Sequence, residues 1–258
     1  MLQLFNFASL PSLPMNSGQI IQPDIFLFGL RIQEPMTVLT DILIALVCFY
    51  AYRNLSKTDN RSTNLMRYYF LALGWSTIFG GLVGHAFVYA VGPVWKLIGW
   101  YLAMFSVLIL EFAVLEQAQP LLKPQITRFI TKLNFVVWAG AMIMATYQMN
   151  FAFVEIQTAY GIMGVFMPLS LYTYMSTKHR GSKYMLYSVL TLMTTIIVFR
   201  APIVLHTYFN HRDLAHIVIC LAVLFMFKGT ALYHEKEIKR LAQPLLSSLE
   251  NDGEQVQQ

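Results

Sequence analysis

The chain reads as long apolar blocks broken by short polar interruptions. About 20 apolar residues, rising 1.5 Å each, are needed to cross roughly 30 Å of hydrocarbon. Seven stretches qualify, at about residues 36–52, 67–91, 94–115, 130–147, 150–175, 184–209 and 214–233. Each interruption carries helix-breaking or turn chemistry: Lys57-Thr58-Asp59-Asn60, Gly92-Pro93, Gln119-Pro120 with Lys123-Pro124, then 148–150, 178–182 and 210–213. Backbone groups find no water in lipid, so such runs are expected to be helices. No ten-residue alternating segments of a β-barrel occur. The pattern predicts an all-α polytopic bundle of seven transmembrane helices.

Composition agrees with the pattern. Of the 258 residues, 57% are hydrophobic and 12% charged, against about 45–50% and about 25% in an ordinary soluble domain. That excludes disorder, a fibre, a disulfide scaffold and most soluble enzymes. The formal charge of +5 is scattered through the connections, so no nucleic-acid partner is expected, and membrane lipid is. Cys48 and Cys220 both lie in apolar runs and are expected to be inert core residues.

The basic residues set an orientation. Of 18 Lys and Arg, 13 fall in the connections after the first, third, fifth and seventh stretches. An excess of that kind marks the cytoplasmic side, which puts the N-terminus out and the C-terminus in, as in a bacterial cytoplasmic membrane. Residues 1–33 lack a basic n-region and are expected to be an extracytoplasmic segment rather than a cleaved signal. Within it, 20–32 is expected to lie as an apolar flap on the outer surface. The transmembrane domain runs over 34–240, and 241–258 reads as a solvated tail.

Ionisable residues inside a membrane are costly and therefore functional candidates. Counting from helix ends, Asp41, His85, Glu155, Arg200 and His216 lie near one outer level on five different stretches. Glu34, His206, His211 and Asp213 stand at or just outside it. Four of the six histidines belong to this group, with His179 and His234 on the other side. Imidazoles with carboxylates are the usual ligands of zinc, whose bound water attacks amides or esters. In that reading His85, His211 and His216 hold zinc, Asp41 or Asp213 orients water or a ligand, and Arg200, Glu34 and Glu155 meet the substrate. The protein would hydrolyse a lipid amide or ester. The other reading makes the same cluster a proton or small-ligand site in a non-enzymatic transporter, sensor or assembly protein. Structural pairs Asp41–Arg200 and Glu155–His85 are also available. On the inner half, Glu111 and Lys228 match in depth and are expected to neutralise each other.

Three segments carry a resemblance: Glu34-Pro-Met-Thr-Val-Leu-Thr-Asp41, Gly81-Leu-Val-Gly-His85, and His211-Arg-Asp-Leu-Ala-His216 ahead of Phe227-Lys-Gly229. The chain resembles an uncharacterised family of mainly bacterial seven-helix membrane proteins, which implies the topology and no activity. It is more loosely similar to the seven-helix metal-dependent hydrolases that include alkaline ceramidases and the adiponectin-receptor group. That likeness implies a zinc site. Those proteins space their last histidines four apart, whereas His211 and His216 are five apart. Five residues turn a helix by about 500°, leaving the two about 140° apart if both are helical.

Overall fold

A computed structural model describes residues 22–201 and 203–233. The tail, His234 and the basic residues Lys236, Lys239 and Arg240 lie outside those residues. The described chain is all-helical apart from two short hairpins. A hairpin of β1 (Ile25–Leu27) and β2 (Leu30–Ile32) leads into α1 (Pro35–Asn54). Then come α2 (Arg61–Phe79), a π-helical segment Gly80–Ala86, α3 (Val88–Val91) and α4 (Lys96–Ala118). After α5 (Pro124–Gln148), α6 (Ala152–Ala159) passes through a second π segment, Tyr160–Phe166, into α7 (Met167–Thr177). α8 (Arg180–Arg200) is followed by a hairpin of β3 (Val204–His206) and β4 (Phe209–Asn210), and then α9 (His211–Ala231).

Local chemistry sets these ends. Proline stands in the first turn of α1 and α5, where its missing N–H costs nothing. Asn60 caps α2 by accepting from the Thr63 N–H at 3.0 Å, and the His179 imidazole caps α8 from Gly181. α8 stops at Arg200 because Ala201 precedes Pro202 and takes the extended conformation that proline imposes on its neighbour. The sixth helix is thus shorter than the apolar run 184–209, and Arg200 is its last residue rather than an interior one. α9 starts three residues earlier than the apolar run 214–233, so His211 is helical. The flap is the β1–β2 hairpin, closed by Phe28 and Gly29 with φ 51° and 80°. Two successive left-handed residues are what a tight two-residue hairpin needs.

Among the described residues six helical segments are long and apolar enough to cross a membrane: Pro35–Asn54, Pro93–Leu121, Pro124–Gln148, Ala152–Thr177, Arg180–Arg200 and His211–Ala231. The second sequence stretch, 67–91, is helical but is not among them. α2 opens on Arg61, Ser62, Thr63 and Asn64, and the regular helix gives way to the π segment at Gly80. The six are consistent with an integral membrane protein. α5 makes the point most directly, since only 11% of its apolar stretch is buried against the rest of the chain. Val136 and Ile143 on it are 69% and 67% exposed, a face that water would not tolerate.

The main core joins Ile44 and Cys48 of α1, Phe70 of α2, Leu110 and Val114 of α4, Phe166, Val189 of α8 and Met226 of α9. Both cysteines are buried and free. α1 packs between α2 and α9, while α9 also lies along α8. α8 and α9 cross closely, for a Cβ on Gly181 would stand 2.8 Å from the Gly229 carbonyl. This arrangement brings the starts of α1 and α9 and the first π segment to one end of the bundle.

Candidate functional site

Two helix starts are knotted together at that end. The Met36 N–H donates to Gln22 Oε1 at 2.9 Å, which satisfies one free amide of α1. The Gln22 amide donates to Thr37 Oγ1 at 3.1 Å and to Asp213 Oδ2 at 2.9 Å. Thr37 passes its own proton to Asp213 Oδ1 at 3.0 Å. Asn210 and Asp213 close a capping box at the start of α9, the Asn210 N–H reaching Asp213 Oδ2 at 2.8 Å. Asp213 is completely buried, holds three donors and sits in the positive first turn of its helix. Its carboxylate is committed to joining α1 to α9.

Beside the knot stand two histidine–carboxylate dyads. His85 Nδ1 lies 2.9 Å from Glu34 Oε2, and Arg212 approaches the same oxygen at 3.7 Å. The hydrogen bond from His85 holds the Glu34 carboxyl below its ordinary range, with the His85, Arg212 and Lys96 charges assisting and burial opposing. In the second dyad, His216 Nδ1 is 2.8 Å from Thr40 Oγ1 and 3.7 Å from Asp41 Oδ1. The Thr40 hydroxyl has one proton and gives it to the Thr37 carbonyl at 3.0 Å. It must therefore accept from His216, whose proton is on Nδ1, facing Thr40 and Asp41. Glu34, as a carboxylate, can only accept, so His85 also donates from Nδ1. In both rings Nε2 is the nitrogen free to gain a proton.

The first π segment couples the dyads. A Cβ on Gly81 would come within 3.0 Å of the Asp41 Cβ and 3.4 Å of its Oδ2. Only a glycine lets this turn, which carries His85 four residues on, lie against Asp41. π turns inside α-helices recur at functional sites.

The other candidates go elsewhere. His211 meets the Phe199 ring at 6.0 Å, and its buried Nδ1 has no partner among the described residues. It points to α8 while His216 points to α1, as the five-residue spacing requires. His206 stacks on Tyr208 at 5.9 Å. Arg200 and Glu155 are exposed, and neither pairs with Asp41 or His85. Glu111 and Lys228 do not meet. Glu111 accepts from Gln157 at 3.4 Å, and the Lys228 ammonium lies 4.6 Å over the Tyr184 ring. Counting residues matched their depths, but depth leaves the azimuth of each helix open. Among the described residues no three His, Cys, Asp or Glu side chains group to hold a metal ion. His85 and His216 are each engaged through Nδ1, and the third imidazole, His211, is turned toward Phe199 of α8.

Gln22, Thr37, Thr40 and Asn210 are site residues that sequence reasoning passes over. The Asn210-x-x-Asp213 spacing is a legible capping signal. Thr37 and Thr40 share the face of Asp41 at helical spacing, and Gln22 carries no signal.

Among the described residues the class is therefore a helical bundle with six membrane-length apolar helices and a part-buried histidine–carboxylate network at one end. The chain belongs to the family of unknown function DUF6962, which matches it over residues 36–234. No curated protein and no solved structure matches the chain.

Proposed function

We propose that this is a non-enzymatic integral membrane protein whose outward-facing network binds and releases protons, as a pH-responsive sensor or proton-linked carrier. The proposal includes seven spans, an outer N-terminus and a bacterial cytoplasmic membrane. The observation that carries it is the pair of dyads His85–Glu34 and His216–Asp41. Each imidazole is oriented through Nδ1 by an acceptor and keeps Nε2 for a second proton. α1, α2 and α9 all contribute, so a charge change there bears on how three helices pack. Exposed Arg200 is available to a lipid phosphate.

The zinc-hydrolase reading needs a third donor beside His85 and His216, and His211 meets Phe199 on α8. Proton uptake by the purified protein between about pH 8 and pH 4 tests the proposal. His85→Gln and His216→Gln should each reduce uptake. Unchanged uptake in both variants overturns it. So does stoichiometric zinc in the wild type that is lost in His85→Ala and His216→Ala with folding intact.

A further inference from the structure

A second polar centre lies within the bundle, away from the dyads. Glu111 of α4 and Gln157 of α6 are both completely buried, the former among Val107, Leu108, Leu110 and Val114. The amide of Gln157 donates to Glu111 Oε1 at 3.4 Å. Glu111 Oε2 and Gln157 Oε1 are buried without a hydrogen-bond partner among the described residues. The second π segment closes the site. A Cβ on Gly161 would fall 2.6 Å from Glu111 Oε1 and would overlap Val107 as well, so the backbone presses directly on the carboxyl.

Among the described residues no cation answers this carboxyl. Lys228 is on Tyr184, Arg67 of α2 lies over the Tyr52 ring, and Arg61 pairs with Glu116. His85 of the first π segment is on Glu34, and Glu155 of α6 is exposed. On α7, Tyr172 bonds the Leu121 carbonyl and Tyr174 faces Lys178. Arg128 and Lys132 of α5 make no ion pair. The nearby Tyr160 gives its hydroxyl proton to Asn134 at 2.8 Å. An isolated carboxylate in such surroundings is expensive, and neutralising it by a proton is the usual outcome.

The orphaned atoms point to where that proton goes. With Glu111 ionised, Oε2 and Gln157 Oε1 are both acceptors and neither can satisfy the other. One proton on Oε2 makes it a donor, and Gln157 Oε1 is the acceptor left without a partner on the neighbouring amide. The carboxylate and H⁺ would become a neutral carboxyl that donates to Gln157 Oε1 while the Gln157 amide donates to Glu111 Oε1. We propose that Glu111 and Gln157 form an occluded proton-binding site inside the helix bundle, with Glu111 neutral at pH 7. Its ligand is a proton, bound independently of the histidine network.

Infrared difference spectroscopy on the full chain in lipid, with and without carboxyl-labelled glutamate, tests this. The expected result at pH 7 is a carbonyl band of a protonated glutamate that shifts with the label and in deuterium oxide. It should vanish in Glu111→Gln and change frequency in Gln157→Leu. The label separates glutamates from aspartates, and the Glu111→Gln variant separates Glu111 from the other glutamates; absence of the band in the wild type overturns the proposal whether or not a variant folds. Absence of the labelled band at pH 7, or its persistence in Glu111→Gln, overturns the proposal. Stabilisation of the wild type by sodium but not by choline, with no such band, would show an ionised carboxylate binding a metal cation and overturn it equally.

Discussion

Glu34 combines three roles in one side chain: it precedes α1 in a left-handed conformation, accepts from His85, and attracts Arg212. Its carboxyl titrates below its ordinary value of 4.5 because the folded chain favours the charged form. Between the folded value and 4.5 the unfolded chain binds more protons, so stability rises with pH across that window. The contribution is complete above pH 4.5 and is lost as pH falls through the folded value. Glu34→Gln should therefore cost about 1 kcal/mol at pH 7, a discounted figure for a half-buried charge-assisted bond. Thermal unfolding in detergent at pH 7 and below pH 4 would measure it. The difference from wild type should shrink at the lower pH, and a difference that grows there contradicts the assignment.

At the scale of elements, the two π segments explain why particular glycines sit where they do. Gly81 and Gly161 each let a helix press against a carboxyl on its neighbour, Asp41 and Glu111 respectively. Gly140 in α5 has nothing near its missing Cβ. Gly161→Ala should accordingly destabilise by about 1–3 kcal/mol through overpacking. Gly140→Ala should stabilise by about 0.5–1 kcal/mol, because alanine loses less backbone entropy in a helix. Melting temperatures of the two variants should move in opposite directions. If both fall together, close approach at the π segment is not what distinguishes them. Lys228 belongs to the same scale: it sits on the exposed side of α9 over Tyr184, where the azimuth of the helix rather than its depth decides the contact.

For the whole molecule, the network occupies the end from which α1 and α9 start. The basic connection at Lys178 to Lys183 lies at the other end of α8. If the positive-inside rule applies, these ends face opposite sides of the membrane. Thr207, in the turn of the β3–β4 hairpin, and Lys178 are both exposed, and the native cysteines are buried. A membrane-impermeant thiol reagent added to intact cells should label Thr207→Cys and leave Lys178→Cys untouched until the cells are opened. Labelling of Lys178→Cys alone would invert the orientation, and labelling of both would end the bundle topology.

The apolar run lengths by themselves determined that the chain is helical and membrane-like, because a period of about 20 apolar residues has few other solutions. They also placed Asp41, His85 and His216 at one level, since residue count converts directly to depth at 1.5 Å per residue. The five-residue spacing separated His211 from His216 for the same geometric reason. What lies across from what was decided by tertiary structure. Gln22 reaches Asp213 across 191 positions of sequence, and no local pattern encodes that contact. Glu111 met Gln157 instead of Lys228 because the rotation of α4 and α9 follows from packing, with Gly161 admitting one neighbour and Tyr184 holding the other. Sequence periodicity sets how deep a side chain lies. Only the packed bundle sets which partner it faces.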